Sequence, residues 1–451
     1  MDGMQQWPPD VARLIQHLEH RVKQLETENK ELKRRITQLE NELKVYKNPH
    51  TPPSQQRFKN NIGGTNPPGR RGAPPGHHGA TRTTPEPDEI IPVTMDRCPR
   101  CGSYLGAATS IESRIIEDLP PPQKIKVTRY DLHHYHCPGC GTEITATHQD
   151  CPRTGRFGIR LMTTVTTMKY RQRGVLRRIQ EGLWEQYGFP ITPKGILDIL
   201  LRVGGACAPE YECLLQKIRD AQWRHADETG IPILGKNHWL WLFRTNQDEV
   251  LTVIRASRGR KVLDEILGAD CHGVMINDGY SSYQKLPEVQ RCWAHLLREV
   301  DHGGDLSEHE TRFSVEMHRR FDALKEFIGK DPPMDQRVKQ KMRWDQELED
   351  LVNEYIDISE VRVKANYIKN GLGSWHTCLL HPGMQPTNNL AEQAIREHVI
   401  MRKIIGAFRS MRGPENYERI ASVLATWRLQ GKNVSEELEN LLRRELCLSQ
   451  S

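Results

Sequence analysis

The sequence predicts a multidomain α/β protein: an N-terminal coiled coil, a paired-cysteine ribbon, a helical segment and an α/β core with a helical insertion. Three observations predict it. Apolar residues recur at heptad spacing near the N-terminus, and two Cys-x-x-Cys-Gly knuckles follow. The second half then runs three strand-like stretches, a helix, a buried strand and further helices. The 451 residues correspond to about three domains at ~150 residues each. The mean hydropathy of −0.67 describes a polar chain, and no run of ~18 apolar residues offers a membrane span. The start, MDGMQQWPPD, lacks the basic-then-apolar order of a secretory signal. A net charge of +6 is only weakly basic, so the distribution of charge has to carry any argument for nucleic acid. The 11 cysteines are an odd number, four of them in the two knuckles. That fits a reducing cytoplasm and one metal site better than a disulfide framework.

Residues 1–47 hold the coiled coil. Ile15, Val22, Asn29, Ile36 and Leu43 occupy a positions, and Leu18, Leu25, Leu32 and Leu39 occupy d positions. β-Branched a residues with Leu at d favour two strands, and the lone polar Asn29 fixes register. The g-to-e pairs of a parallel dimer are Arg21–Glu26, Glu28–Lys33, Arg35–Glu40 and Glu42–Lys47, all opposite in sign. A parallel homodimer is expected. Residues 48–95 form a Pro/Gly-rich linker that cannot bury enough surface to fold alone. From Arg57 to Thr84 it carries basic residues and no acid, which suits either a spacer or an arm tracking phosphates.

Residues 96–150 are expected to form a ribbon around structural Zn2+ held by Cys98, Cys101, Cys137 and Cys140. Each C-x-x-C turn supplies two thiolates, and four thiolates close a tetrahedral site with no position left for water. The stretch 124–137 alternates like a strand entering the second knuckle. His134, His136 and His148 are read as exposed. Residues 151–222 read as helical, with a helix-turn-helix look. Leu176, Ile179, Leu183 and Tyr187 share one face, and Gly188–Thr192 breaks the pattern. Thr192 then caps a helix whose first residue is Pro193 and whose buried face is Ile196, Ile199, Leu200 and Val203. Lys194 and nearby arginines add positive charge. Both DNA reading and an ordinary helical hairpin suit this pattern.

Residues 223–451 carry the candidate chemistry. Strand-like runs at 231–234, 238–244 and 250–254 precede a helix from Lys261 to Leu267, then a buried strand ending at Asp278. This is an RNase H-like order. It would place Asp227 on the first strand, Asp278 at the end of the fourth and Glu392 on a helix beside them. Two unit charges ~4 Å apart repel by about 4 kcal/mol at an effective dielectric near 20, so gathered carboxylates call for a cation. Mg2+ or Mn2+ suits oxygen ligands and phosphate chemistry. Glu228 should point to the opposite face from Asp227 by strand alternation. Residues 296–375 read as a helical-hairpin insertion. One apolar face runs Met317, Phe321, Leu324 and Ile328, and another follows the break at Lys330-Asp-Pro-Pro. After Glu392 the chain is cationic. Arg396, Arg402, Lys403 and Arg409 are candidate DNA contacts, with a solvated face as the alternative.

The motifs in order resemble the insertion sequence 66 family of transposases. They are the zipper, Pro75-Gly-His-His78, the knuckles, Asp227-Glu-Thr, Asp278-Gly-Tyr, Cys292-Trp-Ala-His295 and Asn388-Asn-Leu-Ala-Glu392. The resemblance implies a DDE-type enzyme with Asp227, Asp278 and Glu392 as its acidic triad. Its partners would be the terminal inverted repeats of the element, target DNA and accessory proteins encoded by the element, and its location the nucleoid. A non-catalytic DNA-binding regulator, or a domesticated remnant, is the alternative. The family often has Asp where this chain has Thr387, a residue that can also cap a helix. The Cys292–His295 pair reads as a packed strand–helix junction, with a second zinc site or a base as the other readings.

Overall fold

A computed structural model of the chain describes residues 18, 20–36, 85–119, 121–268, 271–302 and 306–448. The described part of the zipper is helix α1, residues 20–36. Leu18, Val22, Leu25, Leu32 and Ile36 are all exposed in the single chain. Ile15, Leu39 and Leu43, and the linker up to residue 84, lie outside the described residues. Among the described residues no helix is long and apolar enough to cross a membrane.

The knuckle region has one antiparallel hairpin, β1 (His134–His136) against β2 (Glu143–Thr145), with Cys137–Cys140 in the turn between them. The alternating stretch 124–133 does not extend β1, because it finds no strand partner among the described residues.

Four helices follow: α2 (Ile159–Tyr170), α3 (Leu176–Tyr187), α4 (Pro193–Ala206) and α5 (Ala208–Asp220). Gly188 ends α3 in the left-handed region at φ +61°. Thr192 Oγ1 accepts the Gly195 N–H at 3.1 Å, with Pro193 in the first turn of α4. Ile179, Leu183, Ile196, Ile199, Leu200 and Val203 are buried. They belong to a single core that also takes in Trp241, Phe243, Leu251 and Val253 of the sheet, so α2–α5 are packed onto the sheet.

That sheet is mixed. Its strands are β3 (Trp223–Ile233), β4 (Lys236–Thr245), β5 (Val250–Arg255), β6 (Val274–Asn277) and β7 (Val289–Arg291), in the order β5-β4-β3-β6-β7. β3, β4 and β5 pair antiparallel, and β6 and β7 are parallel to β3. The run beginning at Ile231 is the end of one long strand that starts at Trp223, so Asp227 lies in its middle. Helix α6 (Arg260–Leu267) crosses from β5 to β6, and α7 (Trp293–Val300) follows β7.

The insertion is a helical hairpin, α8 (Glu308–Gly329) and α9 (Met334–Tyr355), followed by the shorter α10 (Arg362–Lys369). Met317, Leu324, Leu348 and Val352 pack with Trp293, Trp375, Val274 and Ile276 in a second core. The two sides of the hairpin therefore meet over β6 and α7. The chain then runs through α11 (Asn389–Ile405), α12 (Arg412–Leu429) and α13 (Val434–Leu442). Ala391, Ala394 and Ile395 of α11 cover Ile231, Ile233, Leu240 and Leu242.

β5 is an edge strand, and α12 satisfies its outward N–H groups. Glu418 Oε1 accepts from Ile254 N at 2.7 Å, Ser422 Oγ from Thr252 N at 2.8 Å and Thr426 Oγ1 from Val250 N at 2.9 Å. The spacing works because four helical residues advance about 6 Å and two strand residues about 6.6 Å. An edge closed in this way cannot recruit a further strand.

Glu418 also pairs with Arg255 at 3.2 Å and lies 3.4 Å from Tyr211 Oη. Burial raises its carboxyl to about 7, against the pull of Arg255 and the Ile254 N–H. The folded state thus prefers the protonated acid. That contribution is complete below the unfolded value near 4.5 and is lost as pH rises through about 7. Glu418→Gln should match the parent in stability near pH 4.5 and exceed it near pH 8, by up to about 3 kcal/mol. Urea unfolding at the two pH values checks this, and a gap that does not widen with pH would contradict it.

Candidate active site

Alternation along β3 sends His225 and Asp227 toward α11, and Ala226 and Glu228 toward the opposite core. Asp227 is half-buried, and its Oδ1 accepts the Glu228 N–H at 2.8 Å. Burial first, then Glu228, Asp278 and Glu392, push its carboxyl well above the ordinary carboxylate range. Asp278 follows the last residue of β6 and is buried. Its Oδ1 accepts the Tyr280 N–H at 2.9 Å. Glu392 is in the first turn of α11, with Oε1 3.0 Å from Arg298 Nη2 and 3.6 Å from His295 Nδ1. Asp278 and Glu392, from distant parts of the chain, thus both bear on Asp227. The three acids do not form a set of ligand atoms within 4.8 Å. Among the described residues the one set of three or more at that spacing is Cys292, His295 and Glu392.

Asn388 fixes this geometry. It precedes α11 and is 1% exposed. Its Nδ2 donates to Ala226 O at 2.7 Å, His225 Nδ1–H donates to its Oδ1 at 3.2 Å, and its own N–H reaches Cys292 Sγ at 3.1 Å. Burial lowers His225 to about 4, so the ring is neutral and Nδ1 carries the donating proton. The residue before α11 is therefore a tie to β3 and β7–α7. Thr387, the expected cap, does not hold that position; Asn388 does, and its side chain makes no cap bond.

Glu228 is buried on the other face, as alternation predicts. Tyr283 Oη–H donates to it at 2.7 Å and Arg258 pairs with it at 2.6 Å. Burial and Asp278 raise it to about 7 despite both partners. Behind Asp278, the insertion contributes directly: Tyr367 of α10 donates its hydroxyl to the Asp278 carbonyl at 3.2 Å. The Arg291 guanidinium lies 4.5 Å from the Tyr367 ring and 4.6 Å from the Trp375 ring. A Cβ on Gly279 or Gly371 would collide with it. Gly279 also adopts φ +93°, so the turn after Asp278 needs glycine twice over.

Cys292 is the residue between β7 and α7. It is buried, and burial pushes its thiol up to about 11. The two knuckles are built alike. Cys98 N donates to Ser103 O and Gly102 N to Cys98 O, at 2.9 and 2.8 Å. Cys137 N donates to Thr142 O and Gly141 N to Cys137 O, both at 2.9 Å. The Ser103 and Thr142 hydroxyls pull the Cys101 and Cys140 thiols below their ordinary value. The two pairs do not close into one four-sulfur set at 4.8 Å spacing. His134, His136 and His148 are exposed.

Of the cationic candidates, Arg396, Lys403 and Arg409 are exposed. Arg402 turns inward, its Nη1 bonding Gly230 O and, at 3.1 Å, Thr229 Oγ1. Lys194 pairs with Asp198 one turn on. Arg298 was not singled out from the sequence. Its signal is the i, i+3 spacing from His295 on a helix that already carries one candidate.

The sequence model described as "Transposase IS66 family" matches residues 154–416. The chain is also 22% identical over 377 residues to "Uncharacterized protein y4qI" of Sinorhizobium fredii (strain NBRC 101917 / NGR234), covering 74% of this chain and 67% of that protein.

Asn388→Ala would leave Ala226 O and His225 Nδ1 buried without partners and should lower the unfolding free energy by about 2–3 kcal/mol. Denaturant unfolding measures it, and a loss under ~0.5 kcal/mol would mean that the tie carries no weight.

Proposed function

The chain belongs to the IS66 family of transposases, and we propose that it is a DDE-type enzyme that cleaves DNA at the ends of its element and transfers the freed strands to target DNA. Asp227, Asp278 and Glu392 are the residues that would hold Mg2+ or Mn2+. The supporting observation is the setting of Asp227, whose carboxyl is pushed up by burial first and then by Glu228, Asp278 and Glu392. Carboxylates gathered from β3, the end of β6 and α11 are hard oxygen donors, the set that such ions take. The strand order, with its antiparallel β3–β5 and parallel β6 and β7, is the order of an RNase H-like core. When bound, divalent ions there supply activation of the attacking oxygen and stabilisation of the leaving one.

The residues of the chain supply position and charge. Asn388 holds α11 so that Glu392 faces α7 and the neighbourhood of Asp227. Tyr367, together with the glycine at 279, sets the turn that presents Asp278. Arg396, Lys403 and Arg409 lie along and just beyond α11, where exposed cations can pair with phosphates of the DNA; Lys194 at the start of α4 is a more distant contact of the same kind. Arg402 acts instead as a clasp between α11 and β3. Cys98, Cys101, Cys137 and Cys140 would hold the structural Zn2+ of a ribbon, a reading that rests on two knuckles with the same hydrogen bonds. The exposed row on α1 is the seam of a parallel homodimer.

Asp278→Asn should lower Mg2+-dependent cleavage of element-end DNA by at least about a hundredfold while leaving DNA binding in place. Equal cleavage by parent and variant would remove Asp278 from the mechanism. Binding without cleavage in the parent would instead favour a regulator. In the zipper, Asn29→Ile should raise dimer stability and admit higher oligomers, read by sedimentation equilibrium. A parent chain that sediments as a monomer would rule the dimer out.

A further inference from the structure

The start of α7 and the start of α11 bring together three side chains that the acidic triad does not explain. Cys292 immediately precedes α7, and His295 is its third residue, so both lie on the helix's first turn. Glu392 comes from the first turn of α11. One ligand atom from each lies within 4.8 Å of the others. We propose that Cys292, His295 and Glu392 form a binding site for a thiolate-preferring divalent cation of the Zn2+ class.

Three observations carry this. The first is geometry. Tetrahedral zinc with nitrogen and oxygen bonds near 2.1 Å has ligand–ligand edges of about 3.4 Å. The His295 Nδ1 to Glu392 Oε1 separation is 3.6 Å, longer than a hydrogen bond and close to that edge. The second is the sulfur's environment. Cys292 Sγ accepts the Asn388 N–H at 3.1 Å, which fixes the sulfur where the starts of α7 and α11 meet. The third is donor class. A sulfur, an imidazole and one carboxylate select a softer ion than the all-oxygen acids nearby, so the two sites would not compete for one metal.

Arg298 is the built-in competitor. Its Nη2 lies 3.0 Å from Glu392 Oε1 and 3.5 Å from His295 Nδ1, and its side chain is 53% exposed. A guanidinium with that much access to water can withdraw when a dication arrives. Because a carboxylate has two oxygens, an ion bound through Oε1 would also fix Glu392 for its role in the acidic triad. That last consequence rests on the proposed catalytic reading; the binding site does not.

The test is cobalt binding by the metal-free full chain carrying Cys98→Ser and Cys137→Ser, which disable the ribbon. Co2+ alone is the probe, and thiolate-to-cobalt charge-transfer absorption is the readout. One Co2+ per chain with that absorption is expected. Cys292→Ser should abolish the band, and His295→Gln should weaken binding more than about a hundredfold, beyond the loss caused by a supporting group. Arg298→Gln, an exposed position unlike the buried Cys292, should tighten binding about fivefold by removing the competing charge. A band that survives Cys292→Ser, no band in a background with native circular dichroism, or unchanged affinity in both His295→Gln and Arg298→Gln would overturn the site. Cleavage is assayed separately with Mg2+. Cobalt bound here by a chain that cannot cut DNA would sink the catalytic reading alone.

Discussion

The arrangement of the acids depends on one buried amide. Asn388 spends both ends of its side chain on β3 and its backbone N–H on Cys292. The first turn of α11 therefore cannot rotate without leaving polar groups unpaired in the interior, each costing about 1–3 kcal/mol. Glu392, four residues after Asn388 and within that first turn, is set by that constraint. Asn388 bonds His225, and Glu392 acts on Asp227 two residues along the same face of β3. A helix advancing four residues thus keeps step with a strand advancing two. The same step recurs on the far edge of the sheet, where Glu418, Ser422 and Thr426 meet Ile254, Thr252 and Val250 in the opposite direction. Both helices are registered to the sheet by side-chain-to-backbone bonds as well as by apolar packing.

That registration holds acids where their repulsion would otherwise disperse them. The sheet separates the four carboxylates by face. Glu228 is on the side of Arg258 and Tyr283, which bind it directly. Asp227 is on the side of α11. Asp278 lies at the strand end between them and acts on both. Glu228 has Arg258 directly against it, while Asp227, Asp278 and Glu392 are the acids of the proposed ion site. Glu392 is itself shared with Arg298 and His295. The site thus has a hard-donor side toward β3 and a softer side toward α7, with one carboxylate between.

Much of this was legible in the sequence wherever a periodic pattern or a turn residue specified it. Thr192-Pro193 starts α4, Lys330-Asp-Pro-Pro divides the insertion, and alternation put Glu228 opposite Asp227. The ties between distant segments were not legible. Nothing in the sequence marked Asn388, one turn before Glu392, as bonding residues more than 160 positions earlier. Nothing local in the sequence marks the Ser422 and Thr426 hydroxyls as partners of an edge strand. Arg402 looked like one of a run of cations, and only the close approach of Gly230 shows why it turns inward. The alternating stretch before Cys137 misled for a related reason: alternation describes a strand only where a partner exists to complete its ladder.

The insertion shows how far such ties reach. Hairpin α8–α9 covers β6 and Trp293 with apolar side chains, which a packing role alone would explain. Tyr367 goes further, because its hydroxyl bonds the carbonyl of Asp278 itself. Its ring and that of Trp375 enclose Arg291, whose guanidinium fills the space that Gly279 and Gly371 leave open. A side chain at either glycine would displace the arginine, and losing the arginine would leave the rings and the turn after Asp278 without their common support. The insertion is therefore a wall of the candidate site, and Tyr367 of α10 is its direct hold on the backbone of an acid.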